Sequence, residues 1–126
     1  MPDLSSGFVP GRHVITAYGR GGFRFADMSH VGSIIALPSG VHAWSALAPA
    51  DITEASLAPL FAAPEGVELL LLGTGLDLVP PSPGLRARLK AIGVSVDPMP
   101  SGAAARTYNI LFDEQRRVAA AILAVP

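Results

Sequence analysis

The chain has 126 residues, half of them hydrophobic and 15% charged, with a net charge of −1 and no cysteine. That length supports one domain with its own core, and the composition excludes a disordered chain or a coiled coil. The missing cysteine excludes disulfides, thiolate metal ligands and a cysteine nucleophile, and the near-neutral charge gives no electrostatic reason to expect nucleic acid. The mean hydropathy of +0.44 asks for a very apolar core or an apolar surface used for contacts.

Residues 1–10 read as a loose, proline-marked lead-in. They lack the positive segment and apolar run of a signal peptide, and no apolar run in the chain approaches the roughly 18 residues that span a bilayer. The expectation is a soluble, cytoplasmic protein. Residues 12–18, rich in β-branched types, predict a strand. Gly19-Arg20-Gly21-Gly22 predicts a hairpin turn, and Phe23-Arg24-Phe25 the returning strand. No helix follows these glycines and no Gly-Lys-Ser/Thr is present, so they do not make a phosphate loop. A second hairpin is predicted from Ser33–Leu37, the turn Pro38-Ser39-Gly40, and Val41–Trp44, with His42 and Trp44 on one face. His42 reads as a surface or hydrogen-bonded histidine rather than a catalyst.

Asp51 or Thr53 is expected to cap a helix carrying Leu57, Leu60 and Phe61, shortened or broken by Pro59. Val67–Leu72 predicts a strand buried on both faces, because four leucines in a row leave no solvent side. It ends in Gly73-Thr74-Gly75. After a proline cluster, Gly84–Ile92 predicts a helix with Leu85, Leu89 and Ile92 inward and Gly93 as its stop. Val94-Ser95-Val96-Asp97-Pro98-Met99-Pro100 then predicts a short strand ended by its prolines. This β-α-β unit is expected to cross over right-handed, and the carboxyl end of its first strand is where open α/β sheets place ligands. As a nucleotide fingerprint the loop fails, since its third glycine position is Leu78. Tight backbone packing is the plainer role for its glycines.

Residues 101–112 carry the densest set of polar groups on a predicted helix. Ser101 is the expected N-cap, three alanines favour helix, and Ala104, Tyr108 and Leu111 follow core spacing. Arg106 and Asn109 are neighbours on an adjacent face. A cation in the first turns opposes the helix dipole by about 0.3–1 kcal/mol, so Arg106 asks for a carboxylate, a bound anion or plain solvent. Residues 117–125 predict a close-packed central strand.

No Gly-x-Ser-x-Gly elbow and no paired histidines occur, so neither a serine hydrolase nor a metal site is indicated. No cofactor is expected. Asp77 and Asp97 follow strand ends but read as ordinary turn acids.

Leu72-Gly73-Thr74-Gly75, then Met99-x-x-x-Ala103-Ala104-x-Arg106-Thr107-Tyr108-Asn109-x-Leu111 and Arg117–Ala121, resemble a widespread family of small α/β proteins. Its mitochondrial members act as the third named assembly factor of respiratory complex I, and it has bacterial and archaeal homologues. The resemblance runs from about residue 12 to 124. It departs at Pro100, where the family tends to carry aspartate, and at Ala105, where cysteine is common. It implies a single α/β domain, a mixed β-sheet flanked by helices with an N-terminal hairpin layer. It also implies a non-enzymatic helper; without a visible transit peptide, the expected source is bacterial.

Two functional readings result, beside a plain one in which residues 106–109 only fix the helix to the sheet. The first is an interaction or assembly protein holding a protein partner, with membrane-complex subunits as the implied clients. The second is a small-molecule or anion-binding protein with its pocket between Gly73-Thr74-Gly75 and the 101–112 helix. The candidate ligand or partner residues are Gly73, Thr74, Gly75, Ser101, Arg106, Tyr108 and Asn109.

Overall fold

The computed structural model describes residues 7–126. Nine strands and three helices run in the order β1 (Phe8–Pro10), β2 (Ala17–Gly19), β3 (Gly22–Phe25), β4 (Met28–Val31), β5 (Ser33–Leu37), β6 (Gly40–Trp44), α1 (Ala58–Ala62), β7 (Leu69–Gly73), α2 (Pro83–Ala91), β8 (Ser95–Met99), α3 (Ser101–Asp113) and β9 (Val118–Ile122). Six strands form one mixed sheet in the order β1-β6-β5-β9-β7-β8, and β2-β3-β4 form a separate antiparallel sheet. β7 runs parallel to both β8 and β9, while β5 pairs antiparallel with β9.

Period-two alternation sorts the six-stranded sheet into two buried faces. Leu70, Leu72, Ala119, Ala121, Ile35 and Leu37 pack on Leu57, the N-cap of α1, on Leu60 of α1 and on Leu85 and Leu89 of α2. Leu71, Ala120, Ile122, Ile34 and Ala36 pack on Ala104, Ala105 and Tyr108 of α3 and on Phe23, Phe25 and Met28 of the small sheet. The leucine run therefore lies buried on both faces, as expected. The N-terminal hairpin layer is the three-stranded sheet, which shares one face with α3.

The helix ends follow local chemistry. Ser82 caps α2, its Oγ accepting from the Leu85 N–H at 3.1 Å. Gly93, at φ +82°, closes α2 with Gly93 N–H to Lys90 O and Val94 N–H to Leu89 O, the paired bonds of a Schellman stop. Pro59 falls in the first turn of α1, where its missing N–H costs nothing, so the helix starts late rather than breaking. Upstream, Asp51 accepts from the Leu47 and Ala48 N–H groups at 3.0 Å and holds a short 3-10 turn over Pro49–Asp51.

Four expectations are corrected. Residues 8–10 are not loose but form β1 on β6; residues 1–6 of that lead-in lie outside the described residues. Of the strand expected over 12–18, only its end is in a sheet, because the backbone of Ile15 bonds to a side chain of α3 instead. β4 was not anticipated: its turn is Ala26-Asp27, at φ +52° and +59°, without the glycine that marks such hairpins. Ser101 is the first residue of α3 and Pro100 its N-cap, the serine hydroxyl being engaged elsewhere.

Both edges of the large sheet are blunted. Ser95 and Met99 bond towards β7, so the backbone groups of Val96 and Pro98 point away from it, along the open margin of β8. Pro98 offers no N–H, and Arg86 Nη1 donates to the Val96 carbonyl at 3.3 Å. At the other edge β1 is three residues long and ends in Pro10.

Candidate functional site

The chain leaves β7 towards α2 on one face of the sheet and leaves β8 towards α3 on the other. Their adjacent carboxyl ends thus diverge, which is the topological position where α/β sheets open a crevice. Here backbone and hydroxyl bonds cross that position. Thr74 N–H donates to Met99 O at 2.9 Å and Ser101 N–H to Gly75 O at 2.8 Å. Ser101 Oγ accepts from the Gly75 N–H at 2.9 Å and donates to Leu123 O at 2.7 Å. Thr74 Oγ1 donates to Asp77 O at 2.6 Å and accepts from the Val79 N–H at 3.0 Å, so it braces the following loop.

The two glycines have different reasons to be there. A Cβ on Gly73 would stand 2.6 Å from Ile122 Cγ2 and 3.2 Å from Ala104 Cβ, so this glycine lets α3 and β9 close on β7. A Cβ on Gly75 would meet nothing, but its φ of +99° is a backbone state that glycine adopts without strain. The loop they support, residues 76–82, carries Leu76 at 71% and Leu78 at 54% exposure. Val79, Pro80 and Pro81 line a 240 Å³ cavity against Pro49 and Ile52.

Further along α3 the residues part company. Tyr108 points into the core at 1% exposure, edge-on to Phe112 at 5.8 Å. Burial pushes its hydroxyl pKa up to about 12, against a smaller opposing pull from the Arg12 guanidinium. Asn109 grips Ile15 at both ends: Oδ1 accepts from the Ile15 N–H at 2.8 Å and Nδ2 donates to its carbonyl at 2.6 Å. Arg12 lies over the Phe112 ring at 4.5 Å and pins the same segment to the helix. Arg106 faces solvent, and its Nη1 donates to the Tyr18 hydroxyl at 2.8 Å.

Tyr18 lies across the first turn of α3. A Cβ on Gly102 would come 2.5 Å from the Tyr18 hydroxyl oxygen, so the glycine is what admits the ring. Ile15, Ala17, Tyr18, Ala105, Arg106 and Asn109 border a 330 Å³ cleft between residues 15–18 and the helix. Among the described residues no carboxylate pairs with Arg106; the two ion pairs are Arg88–Glu54 and Arg117–Glu68, both exposed.

Gly73, Thr74, Gly75 and Ser101 therefore form one hydrogen-bonded cluster, and Arg106 and Asn109 belong to the neighbouring cleft. Tyr108 reaches neither. Among the described residues, five cavities measure between 240 and 640 Å³, and none of these five is lined by the four cluster residues. Tyr18 and Gly102 are the partners that sequence reasoning missed; they stand 84 positions apart, and neither carries a mark by itself. Among the described residues no cluster of His, Cys, Asp or Glu has the makings of a metal site, and no helix is long and apolar enough to cross a membrane.

The full length of the chain is 40% identical, over 126 residues, to an uncharacterized protein of Rhodobacter capsulatus, of which it covers 95%. It is 29% identical over 113 residues to the NADH dehydrogenase [ubiquinone] 1 alpha subcomplex assembly factor 3 of Danio rerio. That match takes in 90% of this chain but only 65% of the relative's own length. In three dimensions the chain resembles the crystal structure of an outer membrane protein from Bartonella henselae, with 45% identity and a TM-score of 0.89. The likeness covers 93% of this chain and 98% of that one. Residues 15–123 match the family described as a protein of unknown function, DUF498/DUF598, and so take in the small sheet, the locked β7–β8 end and all of α3. The chain belongs to the DUF498/DUF598 family.

Proposed function

We propose that this protein is a non-enzymatic interaction protein that assists the assembly of a membrane complex of the respiratory complex I type. The observation that carries the reading is the loop after β7. Leu76 and Leu78 are held out in solvent, while the base of the same loop is tied down through Thr74 and Ser101. Apolar side chains on a braced loop lose little entropy on docking, which favours contact with a partner. The relation to a complex I assembly factor supplies the class of client: membrane-complex subunits. On this reading the protein works from the cytoplasm and meets its client at the membrane surface.

The test is in-cell crosslinking followed by pull-down from detergent-solubilised membranes, comparing wild type with the double variant Leu76→Asp/Leu78→Asp. Recovery of complex I subunits by wild type and their loss in the folded variant is the expected result. Equal recovery by both, or no complex I subunit with wild type, overturns it.

A second reading is small-anion binding, with Arg106 as the cation. It is favoured by the absence of any carboxylate on that guanidinium among the described residues and by the 330 Å³ cleft beside it. Calorimetric titration with inorganic phosphate, against Arg106→Ala, decides it.

A further inference from the structure

The outward face of α3 carries Arg106, Ile110 and Asp113, all exposed. At 100° per residue these i, i+4 and i+7 positions fall within one stripe about 60° wide. The charges at its two ends are opposite, and among the described residues neither has a partner of opposite sign. Ile110, at 59% exposure, stands at the midpoint between them. A 460 Å³ cavity opens beside it, lined by Val14, Asn109, Ile110 and Asp113. Val14 and Tyr18 extend the apolar part of this surface, at 39% and 41% exposure.

We infer that this face docks a second copy of the same chain, α3 against α3 in antiparallel sense about a two-fold axis near Ile110. The pattern is its own complement. Turned end for end about that midpoint, Arg106 of one copy meets Asp113 of the other, twice, and Ile110 meets Ile110. Arg106 and Asp113 are about 10 Å apart along the axis, so each ion pair lies about 5 Å from the two-fold. Such a reciprocal surface is what a two-fold dimer requires. Exposed ion pairs contribute little energy by themselves, so burial of Ile110, Val14 and Tyr18 drives the association and the charges set its direction and register. The Arg106–Tyr18 hydrogen bond holds the guanidinium over the helix rather than letting it sweep the solvent. This inference is independent of the complex I reading.

The experiment is sedimentation equilibrium over roughly 1–500 µM protein, the range in which a small interface assembles. The samples are wild type, Arg106→Asp, Asp113→Arg and the double reversal Arg106→Asp/Asp113→Arg. The expected outcome is a wild-type dimer, at least about tenfold weaker in each single reversal and restored in the double. A second copy alone gives that restoration; an anion site at Arg106 would be lost in the double variant as well. A wild type that stays monomeric, a dimer indifferent to the single reversals, or a double reversal that does not recover each overturns the inference. Both substituted positions are exposed, and amide NMR spectra of the variants check that the fold is unchanged.

Discussion

On the inner side of α3, Ser101 is fully buried and its hydroxyl bonds to two backbone groups, whereas on the outer side Arg106 and Asp113 face water without an opposite charge among the described residues. The inner polar groups lock three pieces of chain together: the loop after β7, the start of α3 and the end of β9. Buried polar groups specify geometry because leaving them unpaired is expensive. The outer groups face no such penalty, and in the proposed dimer they set the register against a second copy. One helix thus carries a face that holds the fold and a face left open to solvent.

Three substitutions on this helix sharpen or break that contrast. The largest effect is expected for Ser101→Ala, which strips a partner from the Gly75 N–H and the Leu123 carbonyl. With about 1–3 kcal/mol for each buried group left short of a bond, a stability loss of about 3 kcal/mol is expected in urea unfolding. A loss below about 1 kcal/mol would mean that water replaces the hydroxyl and that the lock is not a lock.

Next comes the pH dependence contributed by Tyr108. Its folded pKa of about 12 lies above the ordinary tyrosine value near 10, so the unfolded chain releases this proton first. The contribution is fully present below pH 10 and is lost as pH rises from 10 through 12, about 3 kcal/mol when complete. Tyr108→Phe has no such proton, so its stability should fall less steeply than wild type between pH 10 and 12 in parallel unfolding curves. Equal slopes would place the hydroxyl in contact with water. The smallest effect is expected on the outer face, where Arg106→Ala should leave stability within about 0.5 kcal/mol. A larger loss would return Arg106 to a structural role through Tyr18 and remove its contrast with Ser101.

The part of the fold built from one local pattern at a time was legible in the sequence. Four consecutive leucines, the Gly73-Thr74-Gly75 passage, Ser82 and Gly93 each carry their own signal, and β7, α2 and β8 lie where those signals put them within a residue or two. The region before residue 32 was harder because its geometry depends on distant groups. Residues 12–16 have strand composition, yet Asn109, 94 positions from Ile15, takes up the backbone bonds that a neighbouring strand would supply. β4 follows a hairpin turn made by Ala26 and Asp27, where the left-handed backbone is imposed by pairing and not advertised by residue type. The same holds for the candidate site. Ser101 was visible as a helix start, but its hydroxyl bonds across the chain to Gly75 and Leu123. The Tyr18–Gly102 contact is a pairing of two unremarkable residues that only the tertiary fold brings together.

The blunted edges of the large sheet bear on what kind of stickiness this molecule permits itself. An open strand edge accepts any extended chain, whatever its side chains, because the backbone is common to all proteins. With Pro98 and Arg86 closing one margin and β1 ending in Pro10 at the other, that indiscriminate zippering is suppressed. A protein with so apolar a composition is then kept from polymerising with its own copies or with half-folded neighbours. On the two proposals above, the adhesion left to it is selective: it runs through side chains such as Leu76, Leu78 and Ile110, and it ends when the matching surface is gone.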